Sequence, residues 1–206
     1  MNLHFTEASS LAIIDRQVGE IDCISPAQYE IVRQVIYRTG DLEYSSLLEF
    51  SEAALEKGAA ALIASIPIVV DAPEIQASIV PRLQQTFGNP VYCCATAGTA
   101  TAEKTKIANG LEILANSHRQ SIVIIGQDET ALSTMAELLD RQAIEPRLAI
   151  STAPSFGEPD LQQWPINSSV PYIAIKGCKG GTNIASAIFS SLIELTWRAY
   201  GKEREL

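Results

Sequence analysis

The chain has 206 residues, a length that suits one domain, and hydrophobic residues make up 47% of it against 19% charged. The formal net charge is −9 and no basic stripe is present, which argues against non-specific nucleic-acid binding. Only 6% of residues are aromatic, and Ala, Ile and Leu dominate, which favours helices packed on a sheet over an all-β fold. Met1 to Glu7 has neither the basic start nor the apolar core of a signal peptide, and no apolar run reaches the roughly 18 residues of a membrane span. These features point to a cytoplasmic protein.

In chain order, Leu11, Ile14 and Val18 repeat at helical spacing and predict a helix over 9–18. Ser25-Pro26-Ala27-Gln28 opens a second helix: Ser25 can cap it, Pro26 suits its first position and Gln28 completes a capping box. Ile31, Val32, Val35 and Ile36 give its apolar face, and Gly40 supplies a stop. Ser51 is read as the cap of a third helix through Ala53, Leu55, Ala59 and Leu62. Strands are expected at 66–71 and 91–94, then a helix over 102–116, a strand at 122–126 and a helix over 130–141 capped by Asp128 or Glu129. Strands at 148–150 and 172–175 and a last helix over 183–199 complete the pattern. The segment from Ala153 to Ser169 is either a surface loop or a flap over a site.

Continuous apolar strands alternating with helices imply a parallel sheet covered on both faces. The carboxyl ends of such strands share one edge, where ligands bind. Asp71, Gly126–Gln127, Ser151–Thr152 and 176–181 fall at those ends. The last of these is the most informative. Val170 to Thr182 reads as a buried strand entering a glycine turn that opens a long helix, with Lys176 and Lys179 beside Gly180 and Gly181. Helix-start amides and two cations concentrated in an acidic protein suggest an anionic ligand. The spacing is neither a Walker A loop nor a dinucleotide-binding fingerprint. With His4 and His118 far apart and no Cys-x-x-Cys, a zinc site is not expected, and Cys23, Cys93, Cys94 and Cys178 read as buried free thiols. Tyr37 closes the second helix either as a core tyrosine or as a hydrogen-bond donor in a pocket. Lys104 and Lys106, with Thr101 and Thr105, open the helix after Gly98, where cations oppose the helix dipole.

Five segments together resemble the precorrin-8X methylmutase family: 10–14 (SLAII), 35–41 (VIYRTGD), 66–71 (IPIVVD), 126–132 (GQDETAL) and 171–181 (PYIAIKGCKGG). The resemblance runs from Ser9 to about Leu195. It implies a single domain over 1–206, folded as a three-layer, flavodoxin-like α/β/α sandwich with a mostly parallel sheet, and forming a homodimer. It implies an isomerase of cobalamin biosynthesis that moves a methyl group from C11 to C12 of precorrin-8X or cobalt-precorrin-8, giving hydrogenobyrinate or cobyrinate, with no cofactor and no metal of its own. By that resemblance Tyr37 stands where the family has a proton-donating histidine. A phenol is the weaker acid at neutral pH but still donates a hydrogen bond. Lys106 stands for a substrate-holding arginine and lacks its bidentate fork. Ser10 and Thr39 are expected at the macrocycle edge, and Asp71, Lys106, Lys176, Lys179, Gly180 and Gly181 in substrate binding, the cations and glycine amides around its carboxylates. Glu74 and Glu129 place negative charge where the family has neutral residues. The other reading of this pattern is a paralogue that binds a corrinoid or another tetrapyrrole without isomerising it.

Overall fold

The computed structural model describes residues 5–19, 24–155 and 169–201. Six strands form one sheet in the order β1-β6-β5-β4-β2-β3: β1 (Leu48–Phe50), β2 (Ile68–Val70), β3 (Val91–Cys93), β4 (Ile122–Ile125), β5 (Leu148–Ser151) and β6 (Tyr172–Ile175). All neighbours run parallel except β1, which lies antiparallel on β6 with Leu48 opposite Ile175. The parallel five follow the doubly wound flavodoxin order, so the three-layer expectation holds. The chain leaves β2 for β3 on one side and returns to β4 on the other. That reversal opens a crevice at the carboxyl ends of β2 and β4.

The strands are apolar on both sides because both faces are covered. Ile68, Val70, Ile122, Ile124, Leu148, Ile150 and Ile173 face one core, while Val69, Val123 and Ile125 face the other. The second face is closed by α6 (Cys94–Ala97), α7 (Lys106–Ser117) and α8 (Glu129–Asp140). The first carries α4 (Ala54–Ile63), α5 (Pro73–Gln84) and the last helix, α9 (Thr182–Tyr200), with α2 (Pro26–Thr39) packed on α9 and α1 (Phe5–Val18) on α2. This double thickness explains why α9 is buried almost all round from Ile184 to Ile193. Each large side chain it buries contributes on the order of 1.5–3 kcal/mol before ordering costs.

Local signals hold at α2. Ser25 accepts from the Gln28 amide at 3.2 Å, the Ser25 amide donates to Gln28 Oε1 at 2.6 Å, and Gly40 ends the helix at φ 70°. Asp128 caps α8, accepting from the amides of Thr130 and Ala131. Three expectations are corrected. Ser51 does not cap α4; its hydroxyl accepts from the Tyr172 amide at 2.8 Å and extends the β1–β6 pairing. The strand at 91–94 ends at Cys93, because Cys94 turns into α6. The cysteines are not uniformly buried: Cys93 and Cys94 are, and burial pushes both thiols up, but Cys178 is exposed. Cys23 and His4 lie outside the described residues, as does 156–168, most of the candidate flap. The short α3 (Tyr44–Leu47), β1 and α5 have no counterpart in the sequence reading.

Candidate functional site

The carboxyl edge of the sheet divides into three neighbourhoods. The first is the crevice itself. Asp71 follows β2 and is 1% exposed. Its Oδ2 accepts from the amides of Gln127 at 2.7 Å and Asp128 at 3.0 Å, so it ties the end of β2 to the turn after β4. Its Oδ1 is buried with no hydrogen-bond partner among the described residues. Burial therefore raises its pKa above the usual carboxylate range, although the amides of 126–128 act the other way. Asp128 in turn binds the Thr130 hydroxyl at 2.5 Å, and Thr130 Oγ1 meets Thr105 Oγ1, the cap of α7, at 2.7 Å. Lys106, exposed, is the first residue of that helix. Asp71 thus anchors a chain of caps that ends beside Lys106, and its carboxylate is turned into the protein.

The second neighbourhood is the glycine turn. Lys176 Nζ lies 2.7 Å from Glu49 Oε1 on β1. Lys179 Nζ pairs with Asp41 Oδ2 at 2.8 Å and also with Glu43. The hydrogen bond to Glu49 holds the Lys176 ammonium above its usual range, those to Asp41 and Glu43 do the same for Lys179, and Lys179 pulls Asp41 down. Lys176, Lys179 and Glu43 are exposed, whereas Asp41 and Glu49 are partly covered, Glu49 with only 22% of its side chain open. Gly180 is present for close approach: a Cβ there would lie 1.9 Å from the Thr152 carbonyl oxygen. The Gly181 amide donates to the same oxygen at 2.7 Å, and the Thr152 hydroxyl donates to the Gly181 carbonyl at 3.0 Å. The turn is therefore stitched to the end of β5, and the Gly181 amide is already used.

The third lies around the end of α2. Ser10 of α1 and Tyr37 line a cavity of about 350 Å³ with Ile13, Ile14, Gln17 and Leu42. Tyr37 is 40% exposed, which excludes the core-tyrosine reading. No described residue hydrogen-bonds its hydroxyl, whereas the Ser10 hydroxyl donates to the Thr6 carbonyl at 2.9 Å. On the neighbouring side of the same turn, Thr39 and Gly180 line a second cavity of about 590 Å³ with Arg38, Glu74, Ser78 and Asn183. The Thr39 hydroxyl is occupied: it donates to the Val35 carbonyl at 2.9 Å and accepts from the Asp41 amide at 3.2 Å.

The fold therefore pairs Ser10 with Tyr37 and Thr39 with Gly180, and leaves Lys106 on the side of the sheet edge that carries α7. Sequence reasoning missed Arg38, Ser78 and Asn183. Arg38 stands between Tyr37 and Thr39, and a cation in the last turn of a helix reads as an ordinary partner for the dipole. Ser78 was hidden because α5 itself was not foreseen. Among the described residues no cluster of His, Cys, Asp or Glu could hold a metal ion, and no helix is long and apolar enough to cross a membrane.

Together these features define a doubly wound α/β protein with its candidate site at the carboxyl edge of the sheet and the end of a flanking helix. A model of the precorrin-8X methylmutase family matches residues 6–195. The cobalt-precorrin-8 methylmutase of Leptospira interrogans is 28% identical, covering 92% of each chain, and the precorrin-8X methylmutase of Pseudomonas aeruginosa is 31% identical over 81% of this chain and 84% of its own. The crystal structure of the Thermus thermophilus precorrin-8X methylmutase superposes with a TM-score of 0.85 at 30% identity, covering 94% of this chain and 96% of that one. The chain belongs to the precorrin-8X methylmutase family.

Proposed function

We propose that this protein is the isomerase of cobalamin biosynthesis that moves a methyl group from C11 to C12 of precorrin-8X or cobalt-precorrin-8, yielding hydrogenobyrinate or cobyrinate, and that it works in the cytoplasm as a homodimer. The observation that carries the reading is Tyr37: among the described residues nothing hydrogen-bonds its hydroxyl, it borders a cavity shared with Ser10, and the resemblance aligns it with the family's donor. Methyl migration within one bound molecule depends on holding the ring in the reactive tautomer. A neutral phenol donating to the ring biases that tautomer without full proton transfer. Ser10 assists at the ring edge after turning its hydroxyl from the Thr6 carbonyl. Lys106, Lys176, Lys179 and the start of α9 offer positive potential to the carboxylate arms, the two glycine-turn lysines by exchanging protein carboxylates for those of the ring. Asp71 serves indirectly, by fixing the turn that supports α7 and Lys106.

The test is an anaerobic absorbance titration with cobalt-precorrin-8, followed in time, on the wild type and Tyr37→Phe. The wild type is expected to convert the bound ring to cobyrinate. The variant should bind with similar affinity and turn over about 100-fold more slowly, the scale of a positioned general acid. Wild-type binding without conversion would make the protein a corrinoid binder. Unchanged turnover in Tyr37→Phe would remove the tyrosine from the chemistry.

A further inference from the structure

The 590 Å³ cavity behind Arg38 has an unusual inventory. Its walls include Arg38, Ser78, Asn183 and Ser186 and one acidic residue, Glu74. Among the described residues nothing forms an ion pair with Arg38, and nothing hydrogen-bonds the side chains of Ser78, Asn183 or Ser186. Ser186 is only 6% exposed. Ser186 lines this cavity, and with no protein partner among the described residues its hydroxyl is open to an occupant of the cavity.

The donors define that occupant. A guanidinium only donates, hydroxyls and an amide donate readily, and the one fixed cation lacks a counter-charge within ion-pair distance. Arg38 is exposed; desolvation and the nearby Arg82 lower its pKa, Glu194 and Glu7 act the other way, and the guanidinium stays cationic at neutral pH. A planar carboxylate fits this set, and a guanidinium binds it in bidentate fashion. The cavity also flanks the same helix turn as the Tyr37 cavity, since Arg38 and Thr39 follow Tyr37 directly.

Building on the corrinoid reading above, we propose that this cavity is a carboxylate subsite in which Arg38, with Ser78, Asn183 and Ser186, holds one acetate or propionate arm of the macrocycle, making Arg38 a specificity-determining residue that selects the acid over its amide. Glu74 at the same cavity opposes the binding and tempers it.

The experiment is a ligand-by-residue cycle. Wild type, Arg38→Gln, Ser186→Ala and Glu74→Gln are titrated by absorbance with cobyrinate and with the same ring carrying amides in place of its carboxylates, at low and high salt. Arg38→Gln is expected to weaken cobyrinate about tenfold and flatten its salt dependence, while leaving the amide ring unaffected. Ser186→Ala should weaken cobyrinate about threefold, and Glu74→Gln should tighten it about twofold. Melting curves of the four proteins should coincide, because Arg38 forms no ion pair within the described fold. Arg38→Gln binding cobyrinate as tightly as wild type, or losing both rings equally, overturns the subsite while the methylmutase reading stands. A wild type that binds neither ring overturns both.

Discussion

The glycine turn and the Arg38 cavity lie at the same edge of the sheet and treat their cations in opposite ways. Lys176 and Lys179 are conspicuous in the sequence, yet each is met by carboxylates of the protein: Glu49 for the first, Asp41 and Glu43 for the second. Arg38 is inconspicuous in the sequence and reaches a cavity where none of the described residues forms an ion pair with it. The glycines divide the same way. Gly180 and Gly181 suggest a ring of free amides, but the Gly181 amide is spent on Thr152, and Gly180 is there because its backbone touches that residue. Positive charge and donors matter most to a ligand where the fold has not already used them.

Four perturbations sharpen that contrast, beginning with the largest. Asp71→Ala removes a buried acceptor from the amides of Gln127 and Asp128 and should cost about 3 kcal/mol in urea unfolding, while also loosening the turn that supports α7. Gly180→Ala drives a methyl group into the Thr152 carbonyl and should cost about 2 kcal/mol by thermal unfolding, showing that this glycine is part of the scaffold. Asp71→Asn keeps an acceptor for the two amides and removes the titration. In the wild type the folded carboxyl binds its proton more tightly than the unfolded one, so Asp71 makes stability fall as pH rises from the unfolded pKa, near 4, through the raised folded value. The stability of Asp71→Asn relative to wild type should therefore increase with pH across that window; a constant difference would mean that Asp71 is ionised normally in the fold. Lys179→Met should have the smallest effect. It removes a solvated ion pair, so the melting midpoint should barely move, and cobyrinate affinity should fall far less than in Arg38→Gln. A larger loss of affinity in Lys179→Met would reverse the comparison and return the anion site to the glycine turn.

Much of the architecture was legible along the chain because its signals are local. The capping box at Ser25, the stop at Gly40, the apolar strands at 122–125 and 172–175 and the cap at Asp128 each depend on residues a few positions apart. The sheet edge that gathers Asp71, Gly126, Thr152 and the 176–181 turn follows from alternating strands and helices, and the five family segments lie along the 6–195 match. The elements missed are those whose identity is set at long range. β1 has three residues and is a strand because Leu48, Glu49 and Phe50 meet Ile175, Ala174 and Ile173, and Ser51 serves the same pairing instead of capping α4.

By itself, then, the sequence determined a doubly wound α/β chain of the precorrin-8X methylmutase family, with Tyr37 as the proposed donor and basic residues near the strand ends. Only the tertiary structure decided which of those groups are available. Lys179 meets Asp41 across 138 positions, Asp71 meets Gln127 across 56, and Arg38 meets Ser78 and Asn183 at a cavity that exists only once α2, α5 and α9 have packed. Periodicity and capping act within a turn or two of chain, whereas ion pairing, desolvation and cavity formation depend on distances in space that chain order does not encode.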